Sequence, residues 1–272
     1  MDACAVVGLP LLVCAFDPPS KMSPYKDHPL VRDVVPVQDP AFVDYYAQLG
    51  LLAEDLVGAD GQLLCRIEYY VDPDPDNPQA ADMVDARFVD FFSQASGWYG
   101  VVFDSMTFYQ LASIRRAQKR LNFSIDKMFA AGQGVDMRQW YGIAKLDIDR
   151  VIRHQMLWWP TNGIAVHHTG ESADKGEFAD TTVRGIATVG KLLTELPPGF
   201  DEMYRVKLNM KSKVRNAEGK ETEDYMRMLQ TRHDNLWAAT SVTAKAPNPC
   251  DPHYLALWEN WVAAKEAKGI QP

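Results

Sequence analysis

Apolar residues fall along this chain in short unbroken runs and in longer helical stripes, and the two kinds of segment alternate. Leu9-Pro-Leu-Leu-Val-Cys-Ala-Phe16 is apolar without alternation and stops at Asp17-Pro18-Pro19. A run with no polar face predicts a strand buried on both sides. Residues 20–40 are rich in Pro, Asp and Lys and predict a loop. Over Ala41 to Val57, Phe42, Tyr45, Tyr46, Leu49, Leu52 and Leu56 recur near helical spacing, so a helix is expected. Leu63 to Val71 predicts a strand that ends at the Asp-Pro-Asp-Pro breaker of residues 72–75, and Met83 to Ser96 a helix. Tyr99-Gly-Val-Val-Phe-Asp104-Ser105 is a short buried strand with a carboxylate at its C-terminal end. Helices follow over Met106 to Leu121 and Met137 to Trp158, then a buried strand, Gly163-Ile-Ala-Val-His167-His168. Strand and helix in alternation imply parallel βαβ units, hence an α/β fold with a mainly parallel sheet flanked by helices.

The rest is more polar. A glycine-containing loop is expected from His168 to about Thr182. Tyr204 to Asn209 and Tyr225 to Thr231 have strand character, with a charged hairpin or loop, Lys211 to Glu223, between them. Trp237 to Val242 is expected to pair with the strand before it. His253 to Ala267 is amphipathic, with Leu255, Trp258, Trp261 and Val262 on one face, and predicts a terminal helix. The expected division is a core over 1–245 and that helical tail over 246–272.

Composition narrows the class. In 272 residues, 47% hydrophobic and 24% charged content is an ordinary globular balance. A net charge of -8 argues against a protein coated in nucleic acid, although a local basic groove would survive it. Cys4, Cys14, Cys65 and Cys250 are scattered, with no CxxC pair and no zinc spacing, which suits free thiols in a reducing compartment. The apolar run from Val6 to Phe16 is too short to span a bilayer, and Asp2 stands where a signal peptide needs positive charge. A cytoplasmic protein without a membrane partner is expected.

In open parallel sheets, ligands sit beyond the carboxyl ends of the strands. Asp17, Asp104-Ser105 and His167-His168 stand at such ends and would meet at one rim if their strands are neighbours. Asp104 resembles a Walker B carboxylate, which holds Mg²⁺ through water. The plainer alternative is that Asp104 or Ser105 caps the helix starting at Met106. Asp17 is either a water-polarising acid or a turn residue before Pro18-Pro19. An imidazole at 167 or 168 could sense a phosphate by donating a hydrogen bond, or could be a loop histidine. Metal binding by both histidines, with Glu171 or Asp174, is disfavoured because adjacent strand residues point to opposite faces.

Other features weigh less. Gly185-Ile-Ala-Thr-Val-Gly190-Lys191-Leu192 nearly fits a phosphate loop, but Leu192 replaces the Mg²⁺-binding hydroxyl and Pro197-Pro198 cuts short any helix after it. Lys191 could still face a nucleotide. Trp140, Tyr141, Trp158 and Trp159 could stack bases, though aromatics at helical spacing favour core. Arg115, Arg116, Lys119 and Arg120 form either a solvated helix face or the best basic stripe for a nucleic-acid backbone.

Taken in order, Leu-Leu-Val-Cys-Ala-Phe-Asp-Pro-Pro, Val-Val-Phe-Asp-Ser-Met-Thr, Gly-Ile-Ala-Val-His-His, the stretch from Gly190 to Arg205 and Leu229-Gln-Thr-Arg-His-Asp resemble the phage and prophage RecA-like AAA-family ATPases, often encoded near recombination genes. The resemblance spans most of residues 9–240. It implies a RecA-like P-loop NTPase core, ATP and Mg²⁺ as ligands, and work in DNA recombination or replication in a bacterial host cell. Single-stranded DNA, recombination proteins and further copies of the chain would be partners. It implies Asp104 as the Mg²⁺-holding acid, His168 or His167 as the sensor and Asp17 as the water-activating acid. Ser105 beside them would contact the nucleotide, and Lys191 or Arg232 would reach one in the same or a neighbouring subunit. The departure is that the N-terminal strand and P-loop of such a core are missing. Trp237-Ala-Ala-Thr-Ser-Val also stands where relatives often carry Lys or Arg. Three expectations stay open: a truncated reading of a longer ATPase gene, a degenerate relative serving as a non-enzymatic DNA- or protein-binding module, and a metal-dependent hydrolase.

Overall fold

The structure, a computed structural model, describes residues 1–37, 51–72, 77–89, 91–121, 138–173, 182–186, 200, 202–215, 221–230, 240–241, 259, 262–263 and 266–267. Two compact units make up the chain: Met1–Thr169 with Ile186–Leu193, and Gly170–Gly185 with Thr194–Pro272.

The first unit opens with helix α1 (Asp2–Val7), which ends where Gly8 takes a left-handed φ of 76° and its N–H donates to the Cys4 carbonyl at 2.8 Å. Strand β1 (Leu11–Ala15) is buried at every position. A 3-10 turn (Pro19–Met22) and helix α2 (Ser23–Lys26) lead to β2 (Asp33–Pro36), β3 (Leu52–Val57) and β4 (Leu63–Tyr69). Helix α3 (Ala80–Phe88), β5 (Gly100–Asp104) and helix α4 (Met106–Arg120) follow. Helix α5 (Arg138–Asp149) runs into a π-helical stretch, Arg150–Gln155, and the chain returns as β6 (Asn162–Ala165).

These strands form one mixed sheet of six in the order β2-β3-β4-β1-β5-β6. The β4-β1-β5-β6 portion is parallel, whereas β2 and β3 add antiparallel. The fold class is therefore α/β with helices flanking a sheet, and the parallel part is its centre.

Strand alternation sorts the core into two faces. Leu11, Val13 and Ala15 share a cluster with Cys65, Ile67, Tyr69 and Val102, joined by Cys4 from α1 and by Met22. Intervening positions meet α3 and α4 on the other face. There Phe16 lies 5.4 Å from Tyr70, 5.8 Å from Phe103 and 5.1 Å from Tyr109, and Trp159 stacks on Phe88 at 5.0 Å. Each large apolar side chain buried this fully contributes about 1.5–3 kcal/mol relative to exposure.

Two buried ion pairs interrupt that second face. Glu68 and Arg87 are both almost wholly out of solvent, with Arg87 Nε donating at 3.1 Å and the Tyr70 hydroxyl donating to the other carboxylate oxygen at 2.5 Å. Arg66 donates through Nε and Nη2 to both oxygens of Asp55, at 2.6 and 2.9 Å, directly across the β3–β4 register. That bidentate pair fixes the register of the antiparallel addition.

Several expectations change. Residues 52–57 form β3 rather than the end of a helix, while 41–50 lie outside the described residues. Leu52 and Leu56 are four apart, a spacing that suits both periods, and pairing to strands on both sides decides for the sheet. Within the expected loop of residues 20–40 lie α2 and β2; an outermost strand tolerates Pro36, whose missing N–H costs no ladder bond there.

In the second unit, β7 (Thr169–Ala173) replaces the start of an expected loop, and it pairs with β8 (Thr182–Ile186). Strand β9 (Glu202–Met203) is followed by a hairpin of β10 (Arg205–Arg215) and β11 (Glu221–Gln230), longer than the two expected strands. Its register sets Lys213 opposite Glu223 and Arg215 opposite Glu221. Strand β12 (Thr240–Ser241) pairs with β9 and not with β11, so the expected pairing of Trp237 to Val242 with the preceding strand is corrected. The expected terminal helix over 253–267 and Cys250 lie almost wholly outside the described residues.

Candidate functional site at the C-terminal rim of the parallel strands

Strands β1, β5 and β6 are immediate neighbours, all parallel, so their C-terminal ends open on one rim. Backbone bonds continue past the strand ends and bring the following residues together. Phe16 N–H donates to the Asp104 carbonyl at 2.7 Å, Val166 N–H to Phe103 at 3.0 Å, and Met106 N–H to Val166 at 2.8 Å. Asp17, Asp104, Ser105, His167 and His168 thus sit on the same edge, as their strand-end positions predict.

Asp104 is held by a residue that the sequence did not single out. The Tyr25 hydroxyl donates to Asp104 Oδ2 at 2.8 Å. Burial raises the Asp104 carboxyl above its ordinary range; the Tyr25 hydrogen bond works against this, the charge of nearby Asp17 adds to it, and His168 opposes it. Burial, then the charge of Asp104, holds the Tyr25 hydroxyl well above the ordinary phenol range, so it stays a donor. Asp17 is itself buried, 7% exposed, a turn residue turned inward.

Next to Tyr25, Lys26 Nζ meets Glu54 Oε2 at 2.6 Å, and the Tyr69 hydroxyl donates to the same oxygen at 2.5 Å. Helix α2 is therefore tied to β5 through Tyr25 and to β3 and β4 through Lys26. Met22 and Tyr25, three apart, give a turn of helix one apolar side, and that was the available signal in a segment whose Pro and Asp content spoke for loop.

Ser105 is fully buried and its Oγ accepts from Phe108 N–H at 3.4 Å, the cap of α4. The Asp104–Ser105 peptide is cis. The two histidines differ, as adjacent strand-end residues should. His168 is exposed, its N–H donates to Thr107 Oγ1 at 3.1 Å, and its ring stands edge-on to Phe108. His167 has both ring nitrogens out of solvent without a hydrogen-bond partner among the described residues. Burial, aided by the charge of His168, lowers its pKa to about 4, so the ring is neutral near pH 7.

Lys191 and Arg232 lie outside the described residues, as does Asp174; Glu171 lies on β7 of the second unit. Gly185, the first glycine of the near-match to a phosphate loop, lies within β8. Among the described residues no group of His, Cys, Asp and Glu could enclose a metal ion with three or more ligands. A cation held through water by one carboxylate needs no such group, and Asp104 Oδ1 carries no hydrogen bond among the described residues.

The basic stripe of α4 is engaged within the fold. Arg116 is buried, with Nη1 donating to Asp85 at 2.6 Å and Nη2 meeting Asp147 at 2.5 Å. Arg120 pairs with Asp82, Lys119 with Asn77 and Arg115 approaches Asp72. Of the aromatics, Trp159 is core and Trp158 is 71% exposed.

No family model matches this chain, and no curated protein or solved structure matches it either. No helix among the described residues is long and apolar enough to cross a membrane.

Proposed function

We propose that this rim binds a nucleoside triphosphate with Mg²⁺, and that the chain is a RecA-like, phage-type ATPase-family protein of DNA recombination or replication. One observation carries the reading. The strand running into Asp17, the strand ending in Asp104 and the strand running into His167-His168 are adjacent and parallel, in that order. That is the arrangement in which a water-activating acid, a cation-holding acid and a phosphate-sensing donor face one ligand.

In this reading Asp104 Oδ1 accepts from water in the shell of Mg²⁺, which would supply charge neutralisation at the phosphates. Asp17 orients and polarises the attacking water. His168 offers an N–H donor to a phosphate oxygen from the open side, and His167, whose ring nitrogens are out of solvent, would have to turn outward to do so. Strand β6 pairs with β5 and with no other described strand, which leaves an edge where a phosphate-loop strand could add. Single-stranded DNA, recombination proteins, further copies of the chain and a bacterial cytoplasm belong to the same proposal.

A second reading, an interaction module that keeps the fold, is favoured by a different observation. The Ser105 hydroxyl and one oxygen of Asp104 are already engaged inside the protein. Titration of the 272-residue chain with a fluorescent ATP analogue, with and without Mg²⁺, separates the two. Saturable, Mg²⁺-dependent binding that Asp104→Ala weakens about tenfold or more is expected. No binding by a demonstrably folded chain would select the interaction module.

A further inference from the structure

The stretch from Pro19 to Lys26 carries anchors of three kinds. Met22 is 1% exposed within the core cluster. Lys26 is tied to Glu54, itself fixed by the Tyr69 hydroxyl. Tyr25 packs on the core with its ring and reaches Asp104 with its hydroxyl. The first two anchors determine where the third can be.

A carboxylate turns about a soft terminal torsion, so one hydrogen bond decides which oxygen faces which way. Tyr25 has one proton and gives it to Oδ2 at 2.8 Å. Oδ1 is left without a hydrogen bond among the described residues. A cation held through water requires that oxygen at a fixed height above the sheet, and a bond from a neighbouring residue to the acid is the usual way to fix it.

We propose that Tyr25 is a positioning residue for Asp104, clamping Oδ2 so that Oδ1 addresses the hydrated divalent cation of a bound nucleotide. The inference rests on the nucleotide reading above. It makes α2, through Lys26, Glu54 and Tyr69, part of the cation site without touching the cation.

The test titrates Mg²⁺ at a fixed concentration of a fluorescent ATP analogue, for the unaltered chain, Tyr25→Phe, Asp104→Asn and the double variant. The Mg²⁺-free affinity and the thermal midpoint are read alongside. Tyr25→Phe should raise the Mg²⁺ midpoint about tenfold while leaving the Mg²⁺-free affinity unchanged. In the Asp104→Asn background the same change should add nothing, because Tyr25 acts through that carboxylate. An unchanged Mg²⁺ midpoint in Tyr25→Phe, beside Mg²⁺-dependent binding by the unaltered chain, would overturn the role of Tyr25 alone. So would a loss of both affinities together with the thermal midpoint, which marks a structural defect. Absence of Mg²⁺-dependent binding in the unaltered chain would remove the nucleotide reading, and this inference with it.

Discussion

His167 is the residue whose surroundings speak most directly to pH. Its ring is buried beside His168 and has a pKa of about 4, against an ordinary value of 6.5. The folded chain therefore binds this proton less readily than the unfolded chain. Stability tied to His167 is complete above about pH 6.5 and is lost as pH falls from there towards 4. After allowance for partial solvent contact, the loss should be roughly 2 kcal/mol. Urea unfolding at pH 7.5 and pH 4.5 measures it: the unaltered chain should lose about that much more than His167→Leu over the interval. Equal losses would show that the imidazole is not held neutral by burial. Residues of this kind were only half legible. Strand-end position picked out Asp17, Asp104 and both histidines, because an apolar run that stops at a polar residue is visible in one dimension. Tyr25 was not, because its partner is 79 positions away and nothing local marks a hydrogen bond across that gap.

At the scale of elements, the buried parallel strands could be read from the chain and the added antiparallel strands could not. β1, β4 and β5 lie inside the sheet; β1 and β5 carry apolar runs up to their ends, and β4 breaks its run only with the paired Arg66 and Glu68. β2 is an edge strand and β3 its neighbour, both with mixed residues, and their identity comes from pairing rather than from local preference. Helix α4 shows the same limit from another side. Its cations resemble a solvent-facing stripe in sequence, yet Arg116 falls on the face with Tyr109 and Ser113, where Asp85 and Asp147 from α3 and α5 receive it. The guanidinium fork thus joins three helices through one buried group. Arg116→Met would leave Asp85 and Asp147 with only the more exposed Arg150 as counter-charge and should destabilise the protein by about 3 kcal/mol. Arg120→Ala, at a 59% exposed side chain, should cost less than about 1 kcal/mol. Denaturant unfolding of the two variants tests the contrast, and similar small losses in both would show that the Arg116 pairs contribute little.

The chain carries a six-stranded sheet whose inner strands β1, β4 and β5 are buried, and a second unit whose described strands form two-stranded sheets. These architectures differ in how their backbone bonds can open. Amides of Leu12 to Ala15 and of Val101 to Phe103 are bonded within the sheet and covered on both faces, so they should exchange only through global unfolding. A two-stranded ribbon is marginal unless something packs on it. In β10–β11 Leu229 is 6% and Gln230 2% exposed, whereas Val206, opposite Leu229, is 59% exposed. Protection should therefore be highest near the Arg205–Gln230 pair and fall across the register shift between Met210 and Ser212. Hydrogen exchange read by mass spectrometry resolves that gradient. If the residues beyond the shift proved as slow as β1, the irregularity would not weaken the ladder and the ribbon would have to be covered along its full length.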